Sequence, residues 1–316
     1  MLEPADYRSP MRTCLLTIAM TLLSASSSAQ SLPDSLIAPY TAEQCPRCAT
    51  WNTPHPPFRI FGNSWYVGTH GLGALLITSP EGHVLIDGGL PDTAPLILAS
   101  ITALGFDIRD VRLILNSHPH YDHAGGIAAL QHASGARVAA SVPSARVLAT
   151  GKADASDPQY GLAYDIPAVT YSRLIEDGKP TAIGPLRLTP HVTGGHTPGG
   201  TTWTWQSCEG ERCLDLVYAD SQTPVSADGF RFSDGATYPN AVADFRGAHA
   251  LLETMACDIL ITPHPEASQL WERVASGTLV DPEACARYAA NARRNLERRL
   301  ERETATLGVP TGERPR

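Results

Sequence analysis

Four residues in a stretch of six could do chemistry together: His118, His120, Asp122 and His123, in Ser117-His-Pro-His-Tyr-Asp-His123. Imidazole nitrogen and carboxylate oxygen are donors that zinc accepts at about 2.0–2.2 Å. His-x-His on an extended segment turns two imidazoles to the same side, onto one ion. Asp122 and His123, beyond the turn, can face a second. Histidine is 11 of 316 residues, so three in six beside an acid point to a metal or catalytic site rather than a polar loop.

One loop does not complete a site for two metals, and two other histidines stand in a similar setting. His196 lies in Thr193-Gly-Gly-His-Thr-Pro-Gly-Gly200, where glycines permit tight turns and close backbone approach. His264 lies in Ile259-Leu-Ile-Thr-Pro-His-Pro265, directly after a short apolar run. Both repeat the geometry of the first cluster, a donor where a strand ends.

Together the three motifs resemble the metallo-β-lactamase superfamily, and most closely the subclass B3 zinc β-lactamases, over about residues 45–305. The resemblance implies two zinc ions per chain, the first held by His118, His120 and His196, the second by Asp122, His123 and His264. It implies hydrolysis of the β-lactam amide of penicillins, cephalosporins and carbapenems, and so antibiotic resistance. The nucleophile would be hydroxide generated on the metals near neutral pH and oriented by Asp122, with no covalent acyl-enzyme. Superfamily members resembling glyoxalase II or the acyl-homoserine lactonases cleave other esters, thioesters or lactones, and that is the alternative expectation. The branches part at Asp220-Ser-Gln-Thr-Pro224. In the thioesterase branch an aspartate near Asp220 bridges the metals. In the lactamase branch the metals are complete without it, and hydroxyls matching Ser221 and Thr223 face the substrate. The local string and the export signal favour the second.

The elements that must position these residues are legible as short apolar runs between turn signals. Strands are expected at 58–61, 64–67, 72–78, 83–86, 111–115, 137–141, 186–190, 201–206, 214–219 and 258–262. Helices are expected at 93–104, 124–133, 143–150, 241–256 and 282–303, the last capped by Asp281 with Pro282 at its first position. Interleaved strands and helices in two similar halves predict an α/β (α+β) fold with helices outside two sheets. The resemblance sharpens this to an αββα sandwich of two mixed β-sheets. Asp87, before Gly88 and Gly89, either buttresses the metal loop through a hydrogen bond or simply turns the chain. Residues 152–179 show no periodicity, and long loops in compact domains are often functional. Gln159 in that loop is an expected substrate contact, with Tyr160 and Tyr164 beside it.

The start of the chain reads as a targeting segment. A basic residue after Met11, an apolar run and small residues to Gln30 make a cleaved signal peptide, with Met1–Pro10 an upstream extension or a longer leader. The apolar run is too short for a membrane span, which takes about 20 residues. The expected plan is signal 1–30, an extended arm 31–57, one catalytic domain 58–305 and a disordered tail 306–316, exported to the periplasm as a monomer. A net charge of −8 argues against a nucleic-acid partner. Beyond Cys14 six cysteines remain, an even number suited to an oxidising compartment. Cys208 and Cys213 flank a turn between two strands and would staple a hairpin. Cys45-Pro-Arg-Cys48 has the spacing of a redox motif or half of a zinc knuckle, but with no second cysteine pair nearby and no thioredoxin-like unit it reads as a local structural disulfide. By resemblance, Cys257 pairs with Cys285.

Overall fold

The structure is a computed structural model and describes residues 31–170 and 172–307. Seven strands form the first sheet, adjacent in chain order: β1 Phe58–Phe61, β2 Ser64–Tyr66, β3 Leu75–Ile77, β4 His83–Ile86, β5 Val111–Leu115, β6 Arg137–Ala140 and β7 Ser172–Leu174. The pairings are antiparallel from β1 to β4 and parallel from β4 to β7. Parallel neighbours need crossovers, and the helices Ala94–Ala103, Ile127–Ser134 and Val142–Thr150 supply them. The second sheet has five strands: β8 Thr181–Ile183, β9 Leu186–Val192, β10 Thr201–Glu209, β11 Arg212–Tyr218 and β12 Ile259–Ile261. Only β11 and β12 pair in parallel, and the helix Ala241–Thr254 lies between them in sequence.

The two-residue period of the strands divides the core into layers. Leu113 and Leu115 of β5 face Trp203, Leu216 and Ile261 of the other sheet. Ile114 points the other way, onto Ile97, Ile127 and Leu130 of the flanking helices. In β11, Leu216 and Tyr218 face the inter-sheet core, while Val217 packs on Leu252, Cys285 and Tyr288. Each fully buried Leu or Ile contributes about 1.5–3 kcal/mol, so the pattern strongly fixes strand register. The result is the expected αββα sandwich. Among the described residues, no helix is long and apolar enough to cross a membrane.

Several boundaries differ from expectation. The loop 152–179 contains β7, and β8 likewise lies outside the expected strands; both are three residues long, too short to show a period. The segment 31–57 is not simply extended. Short helices Asp34–Ile37 and Cys48–Trp51 interrupt it, and Leu36 and Ile37 pack on the outer apolar layer. Asp122 and His123 lie in a helical turn, Tyr121–Ala124, rather than a loop, and the following helix starts only at Ile127. The last helix runs Ala284–Leu307; Asp281 still accepts from the Glu283 N–H, at 3.2 Å, ahead of it. The expected signal peptide and residues 308–316 of the expected tail lie outside the described residues.

Cys45 lies against Cys48, Cys208 against Cys213 and Cys257 against Cys285, each at bonding distance. Cys208 and Cys213 are direct partners in the β10–β11 register. Cys257 and Cys285 join the approach to β12 to the long last helix across 28 residues. Replacing both by serine should lower unfolding free energy by about 2–4 kcal/mol, because an open chain gains entropy on unfolding. Denaturant melts check the loss, and free thiols at 257 and 285 in a non-reducing mass measurement would contradict it.

Candidate metal centre

Where β5 ends at Leu115, the chain leaves the core under close control from Asp87. This residue is fully buried and holds φ 62°, a left-handed conformation that costs a non-glycine residue about 1–3 kcal/mol. Its carboxylate accepts from the Ser117 N–H at 2.7 Å, the Ser117 hydroxyl at 2.6 Å, the Tyr218 hydroxyl at 2.9 Å and the Asn116 amide at 3.2 Å. Asp87 therefore both turns the chain and buttresses the histidine loop. The Gly88 N–H donates to the His123 carbonyl at 2.8 Å. That backbone contact requires glycine opposite, since a Cβ on Gly126 would come within 2.3 Å of the Gly88 oxygen.

The structure gathers His118, His120 and His196 into one buried group and Asp122, His123 and His264 into a second, donor atoms within 4.8 Å of one another in each. The His118 and His123 rings, 4.5 Å apart between centroids, make the groups neighbours. Each group draws on both sheets. His118, His120, Asp122 and His123 follow β5, His196 stands between β9 and β10, and His264 follows β12.

In four imidazoles the outward nitrogen has a partner and the other faces its group. His118 Nδ1 meets Asp220 Oδ1 at 2.7 Å, and His120 Nε2 donates to Asp157 Oδ2 at 2.9 Å. His196 Nδ1 donates to the Thr223 carbonyl at 2.8 Å, and His264 Nδ1 to the Gly71 carbonyl at 3.2 Å. Outer hydrogen bonds of this kind fix tautomer and ring orientation in metal-ligating histidines. His118 Nε2 is buried without any hydrogen-bond partner.

The donors fit a metal on their own terms. His123 Nε2 and His264 Nε2 stand 3.3 and 3.2 Å from Asp122 Oδ2. Donors about 2.0–2.1 Å from a tetrahedral ion are separated by roughly 3.3–3.4 Å. Burial, and the charge of neighbouring histidines, push His118 well below the ordinary imidazole range. Burial and His120 likewise lower His196 to about 3, so both keep bare lone pairs at neutral pH. Burial opposes ionisation of Asp122, but His123 and His264 outweigh it and hold the carboxyl well below its ordinary value. Asp220, fully buried, is pushed up by burial. A cation at His118 Nε2 would draw the shared proton to Nδ1 and leave Asp220 a carboxylate.

Asp220 is thus on the outer side of His118 and belongs to neither group. A Cβ on Gly200 would reach within 2.2 Å of Asp220 Oδ2, so this glycine admits the carboxylate. Ser221, Thr223 and Gln159 line the same cavity of about 620 Å³ as the six donors. The Gln159 amide nitrogen lies 3.5 Å from His120 Nδ1 and 3.3 Å from His196 Nε2. Its neighbours do not overhang the site: Tyr160 is exposed, and Tyr164 packs on Tyr40 and Tyr121. A larger cavity, about 860 Å³ beside Leu186–Thr189, contains none of the six donors.

Sequence reasoning missed one wall. Arg47 and Trp51 come from the segment 31–57, His70 from the β2–β3 connection, and Trp271 from the helix Leu270–Ala275. Trp51 lies 5.1 Å from the His264 ring. Only the Cys45–Cys48 pair signalled that the segment is tied down rather than trailing.

The sequence model of the metallo-β-lactamase superfamily matches residues 74–245. Rm3 metallo-β-lactamase is 56% identical, with a TM-score of 0.81 over 82% of this chain and 99% of that one. MEM-A1, a subclass B3 metallo-β-lactamase from a soil metagenome library, is 46% identical, with a TM-score of 0.80 over 81% and 99%. MIM-1 from Novosphingobium pentaromativorans is 45% identical, with a TM-score of 0.78 over 87% and 99%. With this fold and this pair of donor groups, the chain belongs to the metallo-β-lactamase superfamily. The likeness to subclass B3 read from three short motifs extends over most of its length.

Proposed function

We propose that this chain is an exported zinc β-lactamase that opens the amide of penicillins, cephalosporins and carbapenems and thereby confers antibiotic resistance. It acts as a monomer in the periplasm, with two zinc ions. The observation that carries the reading is the pairing of a three-imidazole group with a two-imidazole, one-carboxylate group in the floor of one open cavity. Closed structural zinc sites use four protein donors, whereas three per group leave a position open for chemistry. Zinc bound there supplies a water of pKa near 7 instead of about 15.7 and a Lewis acid for the amide carbonyl.

The chain's own residues do the rest. His118 and His196 present neutral nitrogens, and all three imidazoles, His120 included, are oriented from behind by an acid or a carbonyl. Asp122 stays ionised and, as an acceptor, orients the nucleophilic water or hydroxide toward the carbonyl carbon. The Gln159 amide, on the side of the first group, is a donor within reach of the substrate carbonyl. Ser221 and Thr223 supply hydroxyls for the substrate carboxylate. No observation favours the thioesterase or lactonase reading, since Asp220 is engaged behind His118.

Purified mature protein should hydrolyse benzylpenicillin and a carbapenem, and leave a homoserine lactone and S-lactoylglutathione nearly untouched. Exhaustive chelation should abolish that activity and zinc should restore it, with elemental analysis approaching two zinc per chain. Full activity without metal, or preference for the lactone or thioester, would sink the reading. N-terminal sequencing of the exported protein, expected to begin near Gln30 or Ser31, tests the leader.

Thr223→Ala removes the hydroxyl assigned to substrate. The shorter contact to His196 Nδ1, 2.8 Å from the Thr223 carbonyl, survives the substitution, while a 3.3 Å contact from the Thr223 hydroxyl to the same nitrogen is lost. A hydrogen bond to a charged acceptor contributes about 1.5–3 kcal/mol, so KM for penicillins should rise roughly tenfold or more. Bound zinc should not change. Altered zinc content with unaltered KM would show that Thr223 acts on His196 instead.

A further inference from the structure

Arg47 is the one Lys or Arg lining the cavity that holds the six donors. Its side chain has no hydrogen bond or ion pair within the described residues, unlike most arginines of this chain's surface. Its backbone, by contrast, is held on both sides. Cys45 and Cys48 are buried and paired around it. The Arg47 carbonyl accepts from the Trp51 N–H at 2.9 Å, and the Cys48 N–H donates to the Cys45 carbonyl at 3.2 Å. Cys45 Sγ also touches the Tyr121 hydroxyl, 3.9 Å away on the helical turn that carries Asp122. A four-residue clip thus presents one unpaired guanidinium at the edge of the cavity.

The position is distinct from that of the substrate hydroxyls. Thr223 borders His196 of the first group. Trp51, one helical turn after Arg47, borders His264 of the second. The remaining charged side chains of the wall, Glu266 and Glu272, are both acids. An anion entering on this side therefore meets only one cation of the protein.

Resting on the β-lactamase reading, we propose that Arg47, held by the Cys45–Cys48 clip, is a specificity subsite for a second negative charge on the substrate's acyl side chain. The lactam's own carboxylate goes to Ser221 and Thr223, and an anionic acyl substituent goes to the guanidinium. Arginine suits this, since its planar fork meets a carboxylate in two parallel hydrogen bonds. The Cys45–Cys48 pair then acts as a structural clip that sets the position of Arg47.

Benzylpenicillin and α-carboxybenzylpenicillin differ by one carboxylate and so isolate the interaction. Let the readout be the ratio of kcat/KM for the dianion to that for the monoanion, in zinc-saturated protein. Arg47→Ala should lower this ratio about tenfold, near 1.4 kcal/mol, while benzylpenicillin turnover alone changes less than about threefold. Arg47→Lys should recover part of the ratio, and Cys45→Ser with Cys48→Ser should lose part of it. About 1 M salt should compress the difference, the screening length then being about 3 Å. Where dianion turnover is too slow to follow, its inhibition constant against benzylpenicillin gives the same ratio. An unchanged ratio in Arg47→Ala, or an equal loss for both penicillins, overturns the subsite while leaving the β-lactamase reading intact. Failure of the wild-type protein to open either penicillin overturns that reading instead.

Discussion

His118→Ala will lower β-lactam turnover by roughly three orders of magnitude or more, even with zinc in excess. The side chain is fully buried, its Nε2 has no other partner, and its ring lies within 5 Å of His120, His196 and His123. Removing it opens the first group and leaves Asp220 a buried acid without its imidazole. Both the activated water and the polarised carbonyl depend on that group, so the losses compound. His132→Ala is the matched control, because His132 is exposed on the helix Ile127–Ser134 and should keep nearly full activity. His249, also outside the site, is not a clean control: it is fully buried and packs 5.8 Å from Phe245, so its loss leaves a cavity. Steady-state kinetics on the two variants decide the matter, and comparable damage from both would refute the donor assignment.

Asp220→Ala should weaken zinc binding about 10–100-fold although Asp220 is not a donor to the metal. Its Oδ1, 2.7 Å from His118 Nδ1, fixes the ring so that Nε2 points into the group, and outer partners of this kind have effects of that size. Asp220→Asn, which keeps an acceptor, should lose less. Zinc loss alone would also follow if Asp220 bridged two ions. Capacity separates the cases: titrated with excess zinc, Asp220→Ala should still approach two ions per chain, with affinity but not stoichiometry changed. Stoichiometry stuck at one would point to a bridging role, and unchanged affinity would remove Asp220 from the centre altogether.

The residues with chemistry were legible because their types are rare and their spacing is tight. All six donors follow strands, and the apolar runs before them were visible. What the sequence concealed is what touches those donors from behind. Asp157 lies in a stretch without periodicity, yet its carboxylate holds His120. The shorter Thr223 contact to His196, at 2.8 Å, is made by a backbone carbonyl, a group every residue has, so no side-chain pattern could reveal it. Arg47 and Trp51 were hidden for another reason: proline-rich polar composition resembles a loose arm, and only tertiary contacts show it folded back. The strands Ser172–Leu174 and Thr181–Ile183 were too short to carry a pattern of their own.

Because each donor group takes members from both sheets, a bound ion works as a rivet through the sandwich as well as a reagent. The free energy of unfolding then carries a contribution from metal in solution, about 2.7 kcal/mol when free zinc is a hundred times its dissociation constant. Scarcity of zinc would do more than idle the enzyme. It would raise the fraction of molecules that open, and opened chains are what proteases remove. The lifetime of the protein, not only its rate, should follow the zinc supply of its compartment.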